Sequence, residues 1–202
     1  METRRKNIKN TTSYKYLGDT ITNDAKNKIN LENRENKVMA TTRQINTTAS
    51  SDIMRRVETT VILTLYEKSI LPTLIHNCVS WILNTTEETQ IDKIGITALK
   101  RLFNLPTTTP SVAILHCLGL LFPTQEVHTK QFMYLHKILN RPRDHWTVKI
   151  LTHLKTTNLG WAKSITEKLT NYQLETNWAK NQKGNGKIMS RKLSTNKTKQ
   201  DY

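Results

Sequence analysis

The chain has 202 residues, of which 36% are hydrophobic, and a formal net charge of +15 at pH 7. This charge predicts a polyanionic partner, most commonly nucleic acid, although ribosomal, histone-like and membrane-surface proteins carry similar totals. Two cysteines, Cys78 and Cys117, exclude a disulfide framework, and no apolar leader with a small-residue cleavage site follows Met1. We therefore expect an intracellular protein of the nucleus or cytoplasm, with a modest core under a large solvated surface.

The N-terminal end combines a basic arm with a short hairpin. Residues 1–12 are strongly basic and almost free of apolar side chains, which predicts a solvated arm. Residues 13–22, SYKYLGDTIT, contain strand-favouring Tyr, Thr and Ile on both sides of the turn signal Gly18-Asp19. We expect a small β-hairpin there. A hairpin of that size normally completes a larger sheet, which the rest of the chain does not obviously supply.

A polar helix is predicted over residues 23–45. Its apolar anchors are Ile29, Leu31, Val38, Met39 and Ile45, and the remaining surface would carry Lys26, Lys28, Arg34, Lys37 and Arg43. Such a basic face is compatible with nucleic-acid contact or with simple solvation, and the pattern leaves both interpretations open.

The most apolar stretch, residues 61–83, is predicted to be the core helix. Its apolar residues recur at steps of three or four, as Ile62, Tyr66, Ile70, Leu74, Cys78 and Trp81. Glu67 and Lys68 interrupt the run well before the length of a membrane span, so we expect no membrane insertion. Pro72 lacks a backbone donor and crowds the preceding turn, which predicts a kink or restart with Leu71 outside helical geometry.

Further helices are predicted along the C-terminal half. Asn84 to Glu88 resembles a capping box with Thr85 as the cap and Glu88 reaching back. We expect one helix after that box, a second that begins at Pro110 and ends near Gly119, and a third that begins at Pro123. Two more helices should cover 146–154 and 161–174. Residues 179–202 are basic, poor in apolar side chains and predicted to be disordered.

Recognisable catalytic and metal-binding patterns are missing. Cys78, Cys117, His76 and His116 do not have the spacing of a zinc ribbon or knuckle, so we interpret both cysteines as ordinary core cysteines. No nucleophile with an adjacent base is evident, and the aspartates are scattered, whereas two-metal phosphoryl transfer needs closely placed carboxylates. We expect no catalytic centre.

Several motifs resemble the region after the palm in reverse transcriptases of non-LTR retrotransposons. They are Tyr14-Lys15-Tyr16-Leu17-Gly18, then a basic helix, then Ser69 to Leu74 ending in Ser80-Trp81, all in the order typical of the family. Leu105-Pro106, Thr109-Pro110, Leu118-Gly119-Leu120 and the run Tyr134 to Pro142 extend the likeness. It covers about residues 13–145, and more loosely reaches Leu174.

The resemblance implies a mainly α fold: a palm-end hairpin at 13–22, a thumb-like helical bundle at 23–105, a helical connection at 106–178 and the basic tail. Tyr16, Leu17 and Gly18 match the motif beside the primer end. Basic residues on the thumb would face phosphates, with Lys26, Arg34, Lys37, Arg55 and Lys100 as candidates. The family's aspartates and the Mg²⁺ they hold belong to the palm, which would lie before this point. We therefore expect no cofactor and no synthesis by this chain alone.

Two functional hypotheses follow. The first is a non-catalytic, truncated fragment of a retrotransposon RNA-directed DNA polymerase, which binds RNA or an RNA–DNA hybrid with little sequence preference and belongs with a palm and fingers in its parent. The second is a helical protein-interaction module whose positive charge is incidental.

Overall fold

The computed structural model describes residues 11–24, 26–48 and 58–174, and it is mainly helical with an N-terminal hairpin, as predicted. Arg55, most of the predicted arm and the whole 179–202 tail lie outside these ranges. The elements are β1 (Ser13–Tyr16), β2 (Asp19–Thr22), α1 (Lys28–Thr48), α2 (Thr59–Leu65), a π-helix (Tyr66–Ile70), α3 (Leu71–Ile75), a 3₁₀-helix (Cys78–Ser80), α4 (Thr85–Leu102), α5 (Ser111–Leu118), α6 (Pro123–Leu139), α7 (Trp146–Thr156) and α8 (Gly160–Asn171).

The hairpin is antiparallel and pairs Tyr14 with Ile21 and Tyr16 with Asp19. Its two-residue turn is Leu17-Gly18, one position earlier than the predicted Gly18-Asp19, and both residues have positive φ angles of 47° and 91°. Positive φ at both positions gives a turn whose twist matches that of the strands. Glycine adopts this geometry freely, but leucine pays a steric cost.

The core helix forms as predicted over its first part, and every residue of the predicted apolar face from Ile62 to Trp81 is buried. The expectation that Leu71 leaves helical geometry is wrong, because its φ and ψ are −60° and −46°. The π-helix accommodates the proline instead: the Leu71 amide bonds to the Tyr66 carbonyl, and this wider turn immediately precedes Pro72. The helix ends at Ile75, where His76 becomes extended and Asn77 left-handed.

The larger hydrophobic core surrounds this central helix. It joins α1, the central helix and α4 to the start of α6, with Leu31, Val38, Ile91 and Leu99 among its buried members. Gly95 permits a close approach, since a Cβ there would lie 2.5 Å from Cγ of Pro123. Helix α6 can therefore start directly against α4.

A smaller second core is formed by α6, α7 and α8. Its buried residues are Phe132, Leu135, Ile138, Leu151, Ala162, Ile165, Leu169 and Leu174. Val127 of α6 belongs to the first core and Phe132 to the second. Helix α6 therefore links the two halves of the molecule.

The capping box of α4 exists but is displaced by one residue from the predicted one. The Asn84 side chain accepts from the Glu87 amide at 2.9 Å, and the Glu87 carboxylate accepts from the Asn84 amide at 3.0 Å. Asn84 is the cap because its backbone is extended, whereas Thr85 is already helical. Glu88 is consequently free to face α6 and α8.

Candidate nucleic-acid interface

The hairpin presents three of the predicted site residues at one edge of the molecule. Tyr16 and Leu17 have 56% and 73% of their surface exposed, and Gly18 completes the turn between them and Asp19. The Asn77 side-chain amide donates to the Leu17 carbonyl at 3.1 Å and so ties the turn to the loop after α3. The two exposed side chains therefore stand on an anchored backbone.

A groove of about 400 Å³ runs beneath this turn. It is lined by Tyr16, Leu17 and Lys26 together with Asn77 and Trp81, among others. Lys26 is exposed at its rim and pairs with Asp24 at 3.4 Å. A hydrogen bond from the Thr22 hydroxyl and another from the Lys26 amide lower the pKa of Asp24. The structure thus brings Tyr16, Leu17, Gly18 and Lys26 together.

Arg34 differs from the other predicted contacts, and its predicted place on the basic surface of α1 is wrong. Its side chain is only 6% exposed and forms an ion pair with Asp19, while a second guanidinium contact reaches Nδ1 of His76 at 3.3 Å. The other Asp19 oxygen accepts from the indole of Trp81 at 3.3 Å. The Arg34 guanidinium therefore fastens the hairpin to the helices.

Lys37 and Lys100, two further predicted contacts, do not line the groove. Lys37 is exposed on α1, and Lys100 donates to the Thr107 carbonyl at 2.8 Å. Arg55 lies outside the described residues. Lys37 and Lys100 therefore belong to a dispersed basic surface rather than to the hairpin site.

A second polar cluster, the Glu88 cluster, was not predicted from the sequence; it consists of Glu88, His128, Lys168 and Tyr172. One carboxylate oxygen of Glu88 lies 2.9 Å from Nε2 of His128 and 2.9 Å from Nζ of Lys168. Nδ1 of His128 lies 2.9 Å from the Tyr172 hydroxyl. Since a carboxylate can only accept, Nε2 carries the proton shared with Glu88.

The cluster lines a cavity of about 670 Å³ and extends into the protein. Lys168 also lies 3.3 Å from the side-chain oxygen of Gln131, whose amide donates to the carbonyls of Cys78 and Trp81 at 3.2 and 3.1 Å. The polar chain therefore connects α8, α6 and α4 to the loop after α3. Helical periodicity marks Ile165 and Leu169 as core residues, but it contains no signal that Lys168 between them is buried.

Electrostatics show that the Glu88 carboxylate is committed to its partners. Burial opposes its ionisation, but the hydrogen bonds from His128 and Lys168 outweigh this penalty and lower the pKa of Glu88 to about 2. Burial and the nearby charges of Glu88 and Asp92 raise the pKa of Tyr172 to about 12. At neutral pH the carboxylate is ionised and accepts from two donors, His128 and Lys168. This arrangement suits a structural junction better than a catalytic base.

The two thiols and the possible metal ligands do not converge. Cys78 is buried as predicted, and burial raises the pKa of its thiol to about 12. The prediction that Cys117 is a core cysteine is wrong, because its side chain is exposed. Within residues 11–24, 26–48 and 58–174, no three His, Cys, Asp or Glu side chains are grouped so that they could hold a metal ion. None of the helices in that part of the chain is long and apolar enough to cross a membrane.

Comparisons with known protein families, with curated proteins and with solved structures return no match for this chain.

Proposed function

We propose that the protein is a nucleic-acid-binding helical module, a non-catalytic part of a retrotransposon reverse transcriptase, that holds a template–primer hybrid through its cationic helices. The observation that carries this proposal is the number of exposed cations without an acidic partner. In the described ranges, several exposed lysines and arginines form no ion pair with a carboxylate: Lys28, Lys37, Arg43, Lys93, Lys137, Arg143, Lys149 and Lys155.

Unpaired surface cations suit a phosphate backbone. Each phosphate that they neutralise releases counterions, which makes binding favourable at low salt and independent of sequence. The exposed tyrosine and leucine of the hairpin turn, with Lys26 beside them, would lie at the primer end, as the family resemblance suggests. The palm and fingers of a parent protein would supply the chemistry.

The test is filter binding of an RNA–DNA hybrid at two salt concentrations. We expect binding at about 50 mM salt that falls steeply by about 200 mM, with little dependence on sequence. Lys37→Gln should weaken binding and reduce the salt slope by about 1. Lys163→Gln is the matched control, because the Lys163 ammonium already lies 4.0 Å from Glu167. Absence of hybrid binding at low salt would contradict the proposal.

One observation favours the alternative of a protein-interaction module. Tyr14, Tyr16, Leu17 and Ile21 are all more than half exposed on one hairpin, and such an apolar group suits a protein partner. This alternative predicts a stoichiometric protein partner that is recovered from nuclease-treated lysate and is lost when Ile21 is replaced by Ser. Hybrid binding that is unaffected by the same substitution would separate the two functions.

A further inference from the structure

The outer face of α7 carries an aromatic and a cationic side chain side by side. Trp146 and Ile150 are 66% and 50% exposed, and Lys149 and His153 are exposed as well. Positions 146, 149, 150 and 153 follow the spacing that places residues on one helical stripe. Thr147 and Leu151 are buried on the opposite side. The helix is thus fixed by one face and presents the other to solvent.

The indole of Trp146 is exposed in a way that the other described tryptophans are not. Trp81 is buried in the first core, and the indole N–H of Trp161 donates to the Val79 carbonyl at 2.9 Å. A tryptophan normally buries its large apolar surface, so an exposed one on an ordered helix is a candidate contact for a partner.

Neighbouring side chains support this ring and form with it a group, here called the α7 platform, that consists of Arg141, His145 and Trp146. The rings of His145 and Trp146 are stacked, with centroids 5.9 Å apart and planes inclined by 27°. The imidazole caps α7, since its Nδ1 lies 2.8 Å from the Thr147 hydroxyl and 3.3 Å from the Thr147 amide. Arg141 Nη1 lies 3.4 Å from both His145 Nε2 and the Thr147 hydroxyl.

The charge around the platform is almost entirely positive. Between residues 131 and 162 the sequence has a single carboxylate, Asp144, against five cations: Lys137, Arg141, Arg143, Lys149 and Lys155. Arg141 in the platform and Arg143 and Lys149 next to it in sequence form no ion pair with a carboxylate of the described residues. The positive charge suits an anionic partner, and the exposed indole of Trp146 suits a partner with flat apolar groups.

We infer that the α7 platform binds single-stranded nucleic acid, with an unpaired base stacked on Trp146 and the adjoining phosphates held by Arg143 and Lys149. This inference rests on the proposed nucleic-acid binding, and it adds a second surface and a different strand class. Bases within a duplex are stacked on one another, so away from the duplex ends a ring on a helix surface finds a free face only on an unpaired base. Every base has such a face, which makes the contact tolerant of sequence.

The test compares single-stranded and hybrid ligands of equal length. Fluorescence anisotropy would measure the binding of labelled oligo(dT) and of a labelled RNA–DNA hybrid to the full chain at low salt. Trp146→Ala should weaken oligo(dT) binding about tenfold or more, and Trp146→Phe should retain most of the affinity, because base stacking on a ring is lost only in the first variant. Hybrid binding should change less than about twofold, since phosphate contacts dominate it.

Val112→Ala is the matched control, because Val112 is 54% exposed on α5, a different helix from that of the platform. Its affinities should equal those of the wild type. Equal oligo(dT) binding by the wild type and Trp146→Ala, or equal losses for both ligands, would overturn the platform and leave hybrid binding intact. Oligo(dT) binding that depends on Trp146 without hybrid binding would support the platform and contradict the proposed hybrid function. Dependence on Trp146 for anionic vesicles but not for oligo(dT) would instead assign the platform to a membrane surface.

Discussion

Two polar junctions hold the molecule together, and they differ in the charge that lies at the centre. At the hairpin junction, one buried cation, Arg34, is neutralised by the single carboxylate of Asp19. At the Glu88 cluster, one carboxylate serves two donors, His128 and Lys168. The first junction attaches two strands of four residues each to the large core, and the second attaches α8 and the smaller core to α4.

This difference indicates at which of the two junctions the removal of one charged partner destabilises the protein more. A peripheral hairpin can separate from the helices and let water reach the buried arginine. The loss of stability on removing Asp19 is therefore limited to the few contacts that the hairpin makes. The Glu88 cluster lies between α4, α6 and α8, and α6 packs against α4 in the first core and against α8 in the second. These helices cannot separate and let water surround an unpaired charge unless that packing is disrupted.

The largest effect is expected for Glu88→Ala, which leaves Lys168 and His128 buried without their acceptor. We expect a loss of about 3–5 kcal/mol in the free energy of unfolding, measured by urea denaturation. Glu87→Ala is the matched control, since it removes only the capping carboxylate and should cost about 1 kcal/mol. Equal losses for the two variants would show that the Glu88 cluster contributes no more to stability than an ordinary surface contact.

Asp19→Ala should have a smaller effect, about 2 kcal/mol, because the hairpin can detach and solvate Arg34. The double variant Asp19→Ala with Arg34→Met should recover part of this loss, since it removes the unpaired charge as well. Urea denaturation of the two single variants and the double variant measures the coupling. A double variant that is less stable than Asp19→Ala would refute this account of the hairpin junction.

Acid should lower the stability that the Glu88 cluster contributes, by an amount comparable to or smaller than the loss in Asp19→Ala. Because the folded-state pKa of Glu88 is depressed to about 2, its contribution is complete above the unfolded value of about 4.5 and is lost as the pH falls towards 2. We expect about 2 kcal/mol over that window, allowing for the 25% exposure of the side chain. The unfolding free energy of Glu88→Gln, measured across the same pH range, should lack this part of the slope; identical slopes would contradict the assignment.

The smallest effect, and one of opposite sign, is expected at the turn. Leu17→Asn creates an Asn-Gly turn suited to two positive φ angles and should stabilise the hairpin by about 1 kcal/mol. Amide hydrogen exchange of the β1–β2 pairs would detect the gain as slower exchange. Leu17→Val, which tolerates positive φ less well, should accelerate exchange, and the reverse order would contradict the steric explanation.

The sequence by itself determined the local features of the fold. Helical periodicity identified the buried face from Ile62 to Trp81, strand propensity identified the 13–22 hairpin, and Gly119 and Pro123 marked a helix end and a helix start. Tyr16, Leu17 and Gly18 were predicted to lie in this hairpin, and their grouping as a contact site came from the family resemblance. These features depend on backbone geometry and burial pattern within a single segment, which the order of residues specifies directly.

Only the tertiary structure decided which polar groups meet. Arg34 is buried because Asp19, His76 and Trp81 converge from separate segments, and a helical pattern alone placed it on the surface. Glu88, His128 and Lys168 are about 40 residues apart in sequence and become neighbours only when three helices pack together. The physical reason is that apolar burial is nonspecific and periodic, whereas a hydrogen bond or ion pair needs two particular atoms within about 3 Å.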